Sequence, residues 1–150
     1  MIVAVIPAKG KSNRLPKKNM SVINGKPMID YTIQYARSFD LIDDIYVSTE
    51  DKSIREHCLR LNLKVIKRPI HLCGEASIIE VYRHAFNYIG SNKINILIGL
   101  QPDHPDRKKK LKDVFEIYIE NKADQLISRE SNGSKNGAHY ILSKKVLEGN

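Results

Sequence analysis

Short β-branched apolar runs alternate along this chain with longer stretches of helical period, the pattern of a parallel sheet with helices packed on it. Residues 3–6 (VAVI) end at Pro7 and predict a buried first strand. Pro27 suits the first position of a helix whose Ile29, Ile33 and Ala36 fall on one face. Residues 45–48 predict a second strand. Thr49 or Asp51 can cap the next helix, in which Ile54, Cys58 and Leu61 share a stripe. A third strand follows at 63–66. Ser77 and Glu80 have capping-box spacing ahead of a helix that buries Val81, Ala85 and Ile89. The longest apolar run, 94–100, predicts a central strand buried on both faces. Leu111, Val114, Phe115, Tyr118 and Ile119 mark a further amphipathic helix, and residues 125–128 a short strand. The polar stretch 129–135, with Gly133, predicts a loop before a last strand at 139–142.

With 150 residues, 41% hydrophobic and 28% charged, the chain is sized and composed for one globular domain over residues 1–150. No run approaches the roughly 20 apolar residues of a membrane helix. The apolar start precedes the first cations, the reverse of the order in a signal peptide, so a cytoplasmic protein without a membrane partner is expected. Cys58 and Cys73 stand outside any CxxC or zinc-like cluster and read as small buried hydrophobes, one disulfide being the alternative.

The net charge of +8 calls for an anionic partner: nucleic acid, a membrane surface or a polyanionic small molecule. Its distribution helps to choose. The first 29 residues carry Lys9, Lys11, Arg14, Lys17, Lys18 and Lys26 and no acid, and a second basic cluster runs from Arg107 to Lys112. With 7% aromatic residues and no Trp there is little to stack bases on, so a phosphate-bearing ligand is expected rather than nucleic acid.

Ligands of open α/β sheets bind beyond the carboxyl ends of the strands. Here the first strand is followed by PAKGKSNRLPKKN (7–19), the third by Arg68-Pro69 and the fourth by QPDHPDR (101–107). The first loop is neither a Walker A loop nor GxGxxG, yet its backbone amides and cationic heads can wrap a triphosphate. The other reading is a solvated basic loop. In QPDHPDR, Gln101 can read a base and Asp103 can ligate Mg²⁺, which takes one or two carboxylates plus phosphate oxygens; an Asx-turn residue is the alternative for Asp103. His57, His71, His84 and His139 read as structural or surface positions.

Six segments in order, IPAKGKSNRLPKKN, NGKPMIDYTI, DDIYVSTED, RPIHLCGEAS, LQPDHPDR and NGAHYI, resemble motifs of the sugar-acid cytidylyltransferases, which make CMP-activated sialic acid and CMP-activated Kdo. The first is similar to that family's ARGGSKRLPxKN, which holds CTP. The others are similar to NGKPLIxYTI, the second strand and turn, RPxELAxDxAS, LQPTSPLR and NGAIYI. The likeness is close from Ile2 to Arg107 and patchy beyond.

The resemblance implies an α/β, Rossmann-like nucleotidyltransferase sandwich of the glycosyltransferase-A type with a mostly parallel sheet. It implies that CMP passes from CTP to a sugar acid or smaller anionic acceptor with loss of pyrophosphate, with Mg²⁺ as cofactor. The alternative is a cytidine-nucleotide-binding domain without catalysis. By the same resemblance Lys9 and Lys18 are catalytic, offsetting phosphate charge, while Ala8, Gly10, Ser12, Arg14, Asn19, Arg68, Ser77 and Gln101 bind nucleotide. Gln101 and Asn136 touch the acceptor, and Asp103, like the aspartate of the related LQGDEP loop, holds the metal. Ser77 serves equally well as a helix N-cap. The interval between LQPDHPDR and NGAHYI is short for the family, so a shortened member is expected, without the usual dimerisation insert and carboxyl-terminal metal-site segment.

Overall fold

The computed structural model describes residues 1–10 and 18–149. Its order is β1 (Ile2–Pro7), the hairpin strands β2 (Val22–Ile23) and β3 (Lys26–Pro27), α1 (Met28–Arg37), β4 (Asp44–Thr49), α2 (Lys52–Arg60), β5 (Lys64–Lys67), α3 (Ile78–Ile89), β6 (Ile96–Gly99), α4 (Leu111–Glu120), β7 (Gln125–Arg129), β8 (Lys135–Ser143) and α5 (Lys144–Leu147). Six strands form one sheet in the order β5-β4-β1-β6-β8-β7. β5, β4, β1 and β6 run parallel, and β8 is antiparallel to both β6 and β7. The expected α/β fold with a mostly parallel sheet is therefore present.

Period-2 alternation in β1 divides the core. Ala4 and Ile6 face a layer with Ile29, Ile33, Ile54, Val114 and Phe115 from α1, α2 and α4. Val3 and Val5 face Tyr82, Ala85, Phe86 and Leu147 from α3 and α5. Burial on both faces explains why β1 reads as a continuous apolar run.

Several boundaries differ from the sequence expectation. β6 spans Ile96–Gly99 rather than 94–100, because Ile96 pairs with Ile2, the first residue of β1. Ile94 is still buried, outside the ladder. β8 begins at Lys135, which reduces the expected 129–135 loop to a tight turn in which the Glu130 N–H donates to the Ser134 carbonyl. Ile119 points to solvent, 52% exposed, and Ile89 is only half-buried. The β2–β3 hairpin was not anticipated, although Asn24-Gly25 at φ +49° and +87° is a left-handed two-residue turn. Nor was α5, capped by the Ser143 side chain. Both cysteines are free: Cys58 is buried and Cys73 half-buried. Two histidines find partners far along the chain, His57 at 2.6 Å from Asp30 and His139 at 2.7 Å from the Tyr35 hydroxyl.

Candidate nucleotide site

Where β1, β5 and β6 end, their exits surround a cavity of about 280 Å³. Pro7 and Lys9 enter it from β1, Lys18 and Asn19 from the short 3₁₀ turn Lys18–Met20, and Arg68 from the exit of β5. Leu72, Gly74 and Ala76 from the loop after β5, Ile78 and Val81 of α3, and Gln101, Pro102 and Asp103 from the exit of β6 complete the lining. Among the described residues, three cationic side chains, two side-chain amides and one carboxylate thus share the cavity with apolar neighbours.

Each wall is fastened by bonds that explain its residue types. Asn19 is buried, and its side-chain amide donates to the Lys9 carbonyl at 3.0 Å, tying the turn to the exit of β1. Ala8 lies in the core rather than the cavity, its N–H prolonging the β1–β4 ladder to the Ser48 carbonyl at 2.9 Å. The Gly10 N–H donates to the Glu50 carboxylate, and a Cβ at Gly10 would stand 2.6 Å from that of Asp51, so only glycine fits. Glu50 also accepts from the Cys73 thiol at 3.1 Å, joining the exit of β1 to the loop after β5. Burial and the neighbouring Glu50 push the Cys73 thiol up to about 11, so it is protonated at neutral pH.

Arg68 is 5% exposed, and its Nε has no protein partner among the described residues. Burial lowers its pKa, but guanidinium is far too basic to lose its charge near neutrality. A buried guanidinium N–H in a cavity wall is a donor suited to an anionic or carbonyl oxygen. The Lys18 ammonium lies 3.3 Å from Asp103 Oδ2, both side chains more than a third exposed, so the pair is screened and exchangeable.

The loop 101–107 contains no helix or strand. The Gln101 N–H donates to the Gly137 carbonyl at 3.2 Å, and the Gln101 side chain lies directly over Gly137, where a Cβ would stand 2.0 Å from Oε1. Gly137, at φ +78°, supplies both the left-handed turn and the space. Arg107 reaches back from the loop's end. Its Nη2 donates to the Gln101 carbonyl and Nη1 to the His104 carbonyl, both at 2.7 Å, Nη1 to Thr32 Oγ1 at 2.8 Å and Nε to the Ala138 carbonyl at 3.0 Å. Its guanidinium also lies over the Tyr35 ring, 5.1 Å from the centroid. Burial brings Arg107 down to about 10, leaving it cationic at neutral pH. Beside it, His139 is held down to about 4 by burial and by Arg107, and is neutral. The His139 ring nitrogens lie 2.9 Å from Ser128 Oγ and 2.7 Å from Tyr35 Oη, and the Tyr35 hydroxyl donates to the Lys109 carbonyl at 2.7 Å.

The structure therefore brings Lys9, Lys18, Asn19, Arg68, Gln101 and Asp103 together at one cavity. Ser77 and Asn136 do not line it. Ser77 opens α3 in a capping box, its N–H donating to Glu80 at 3.1 Å. The Asn136 side chain accepts from the Ala138 N–H at 3.0 Å, and its carbonyl lies 2.6 Å from His104 Nε2. Ser12 and Arg14 lie outside the described residues. Arg107 and Gly137 are absent from the residues picked out by sequence, because their partners are backbone carbonyls and a side chain more than 30 positions away. As for a metal, among the described residues Asp103 is the one carboxylate lining the cavity, and no cluster of three His, Cys, Asp or Glu side chains suited to a metal occurs. That donor set fits a hydrated Mg²⁺ arriving with phosphate oxygens rather than a permanently caged ion.

A six-stranded, mostly parallel sheet with a cationic cavity at its strand ends is the architecture of an α/β domain that takes an anionic ligand beyond the carboxyl ends of its strands. More particularly, the chain belongs to the cytidylyltransferase family, whose model matches residues 3–145. It is 32% identical over 147 residues to an N-acylneuraminate cytidylyltransferase of Streptococcus agalactiae, covering 95% of this chain and 35% of that protein. It is 36% identical over 102 residues to a 3-deoxy-manno-octulosonate cytidylyltransferase of Psychrobacter cryohalolentis, covering 67% of this chain and 37% of that one. The chain thus spans about a third of the length of these curated relatives. Among solved structures it resembles a CMP:2-keto-3-deoxy-manno-octonic acid synthetase complexed with CTP, with TM-score 0.76 and 20% identity over 99% of this chain and 76% of that one. It also resembles a Mycobacterium tuberculosis protein complexed with manganese, with TM-score 0.70 and 14% identity over 99% and 73%. At such identities these two likenesses show the fold. Among the described residues no helix is long and apolar enough to cross a membrane.

Proposed function

We propose that this chain transfers CMP from CTP to a sialic-acid-like or Kdo-like sugar acid, or to a smaller anionic acceptor, releasing pyrophosphate. The observation that carries this reading is the convergence of Lys9, Lys18, Arg68, Gln101 and Asp103 on one cavity in a member of the cytidylyltransferase family. The relatives named for sialic acid and Kdo transfer supply the acceptor class.

In the reaction an acceptor hydroxyl oxygen attacks the α-phosphorus of CTP in line. The bond from that phosphorus to the α,β-bridging oxygen breaks, pyrophosphate departs and the hydroxyl proton is released. Such chemistry is positioning and charge neutralisation, with no covalent enzyme intermediate required. Lys9 and Lys18 offset charge on the phosphates, Arg68 donates from the wall, and Gln101 presents its amide to the ligand. Asp103 is the residue that would hold Mg²⁺. That ion, when bound, supplies further neutralisation of the triphosphate.

The test is pyrophosphate release from CTP and Mg²⁺ by the purified chain, with and without an α-keto sugar acid. Release that needs both substrates supports the proposal. CTP binding without release under any acceptor favours the binding-only reading, and neither binding nor release contradicts both.

A further inference from the structure

Gln101 and Asp103 sit on a loop without ladder or helix, yet a site that reads a nucleotide needs them fixed to a fraction of an ångström. The loop's own sequence does not provide this. Pro102 and Pro105 restrict two φ angles, and the Gln101 N–H bond to Gly137 pins one point. The His104 ring adds a contact to the Asn136 carbonyl at 2.6 Å and the Thr32 hydroxyl one to the Pro102 carbonyl at 3.5 Å, but the group that grips the loop at more than one point is Arg107, which is not among the residues lining the cavity.

We propose that Arg107 is the positioning residue of the nucleotide site, holding Gln101 and Asp103 in place through the backbone of their loop without itself touching the ligand. The inference rests on reading the cavity as a cytidine-nucleotide site. One guanidinium grips the loop at two carbonyls, Gln101 at its start and His104 just beyond Asp103, and so brackets the residues that face the cavity. The same group takes its reference from two rigid elements, the Ala138 carbonyl on β8 and the Thr32 hydroxyl on α1, with the Tyr35 ring beneath it. The loop is thereby registered against the sheet and the first helix at once. A planar fork with fixed N–H directions can serve four acceptors in different directions, whereas a lysine ammonium, with three donors on a flexible stem, cannot. The Ser128–His139–Tyr35 chain holds the ring in place, and neutral His139 adds no charge to compete with the guanidinium.

The experiment combines calorimetric CTP binding with amide hydrogen exchange of the nucleotide-free protein, for wild type, Arg107→Lys and Arg107→Ala. Loss of the fork is expected to speed exchange at residues 101, 103 and 104 and to raise the CTP dissociation constant about tenfold in Arg107→Lys, and about a hundredfold in Arg107→Ala. Millimolar guanidinium should restore much of the Arg107→Ala binding, which a role in overall stability alone would not allow. The proposal is overturned if Arg107→Lys, which keeps the charge and spares the fold, binds CTP as wild type does with unchanged exchange in the loop. It is overturned equally if guanidinium leaves a folded Arg107→Ala protein unrescued. If Arg107→Ala does not fold, Arg107→Lys decides. Should wild type itself fail to bind CTP, the functional proposal falls, and loop exchange in Arg107→Lys still judges the positioning role.

Discussion

Gly137→Ala is a one-carbon change whose consequences can be worked out from the geometry. At φ +78° an alanine pays about 1–2 kcal/mol for the left-handed backbone, which in a domain of this size lowers Tm by about 5 °C. Its Cβ would also stand 2.0 Å from Gln101 Oε1 and 2.4 Å from Cδ, far inside contact distance. The clash falls on the end of a flexible side chain, so Gln101 rotates away and the fold survives. What goes is the amide's place in the cavity. If that amide makes one or two hydrogen bonds to the nucleotide, the loss is about 1–3 kcal/mol, or roughly 5- to 150-fold in the CTP dissociation constant. A double-mutant cycle separates this from a general loosening, since Gly137→Ala should add little to the binding defect of Gln101→Ala, although the two remain separable in stability. Calorimetric titration of the four proteins with CTP gives the cycle directly. Fully additive binding defects, or unchanged CTP binding in Gly137→Ala, would refute the argument that Gly137 exists to seat Gln101.

Three further outcomes follow from the same geometry. Lys18→Ala should lower turnover about a hundredfold while Tm stays within a degree or two, because the ion pair it breaks is exposed and screened; an undiminished rate removes Lys18 from the phosphate site. Asp103→Asn should abolish most of the Mg²⁺ dependence of CTP binding, and a dependence equal to that of wild type excludes Asp103 as the ligand. His139 gives a signature in pH. Its pKa in the folded protein is held down to about 4 from the ordinary 6.5, so between these values the unfolded chain binds the proton and the folded chain does not. Stability therefore falls as pH drops through that window, by up to about 2 kcal/mol after allowance for solvent screening. His139→Gln should show a correspondingly shallower acid slope in urea unfolding, and identical slopes contradict the assignment.

What the sequence revealed, and what it did not, divides along physical lines. β1 was legible because a strand buried on both faces must be apolar throughout, β4 and β5 because each keeps a short β-branched run, and α1 to α4 because one stripe faces the sheet. The cavity residues were legible because ligands of parallel sheets bind beyond the carboxyl ends of the strands, which marks Lys9, Arg68, Gln101 and Asp103 from their positions in the chain alone. The two-residue strands β2 and β3 are too short to show alternation, so only Asn24-Gly25 announced them. Arg107 looked like one more cation in a basic run. Its partners are three carbonyls and Thr32, which lies 75 positions away, and a carbonyl leaves no side-chain trace in the sequence. His139 and Tyr35, 104 positions apart, were equally invisible as a pair. Ser77 shows the converse: a residue type that fits both a cap and a ligand is used in the capping box, away from the cavity wall.

The claim at the centre of this account is that the cavity between the exits of β1, β5 and β6 takes a cytidine triphosphate together with a divalent cation. Thermal unfolding in the presence of each of the four nucleoside triphosphates, with and without Mg²⁺, tests it most directly. Ligand at about 100 times its dissociation constant stabilises the folded state by ~2.7 kcal/mol, a readily measured rise in Tm for a domain of this size. The account predicts a rise with CTP that exceeds that with ATP, GTP or UTP and grows when Mg²⁺ is added. No rise with any triphosphate, or equal rises with all four, would contradict it.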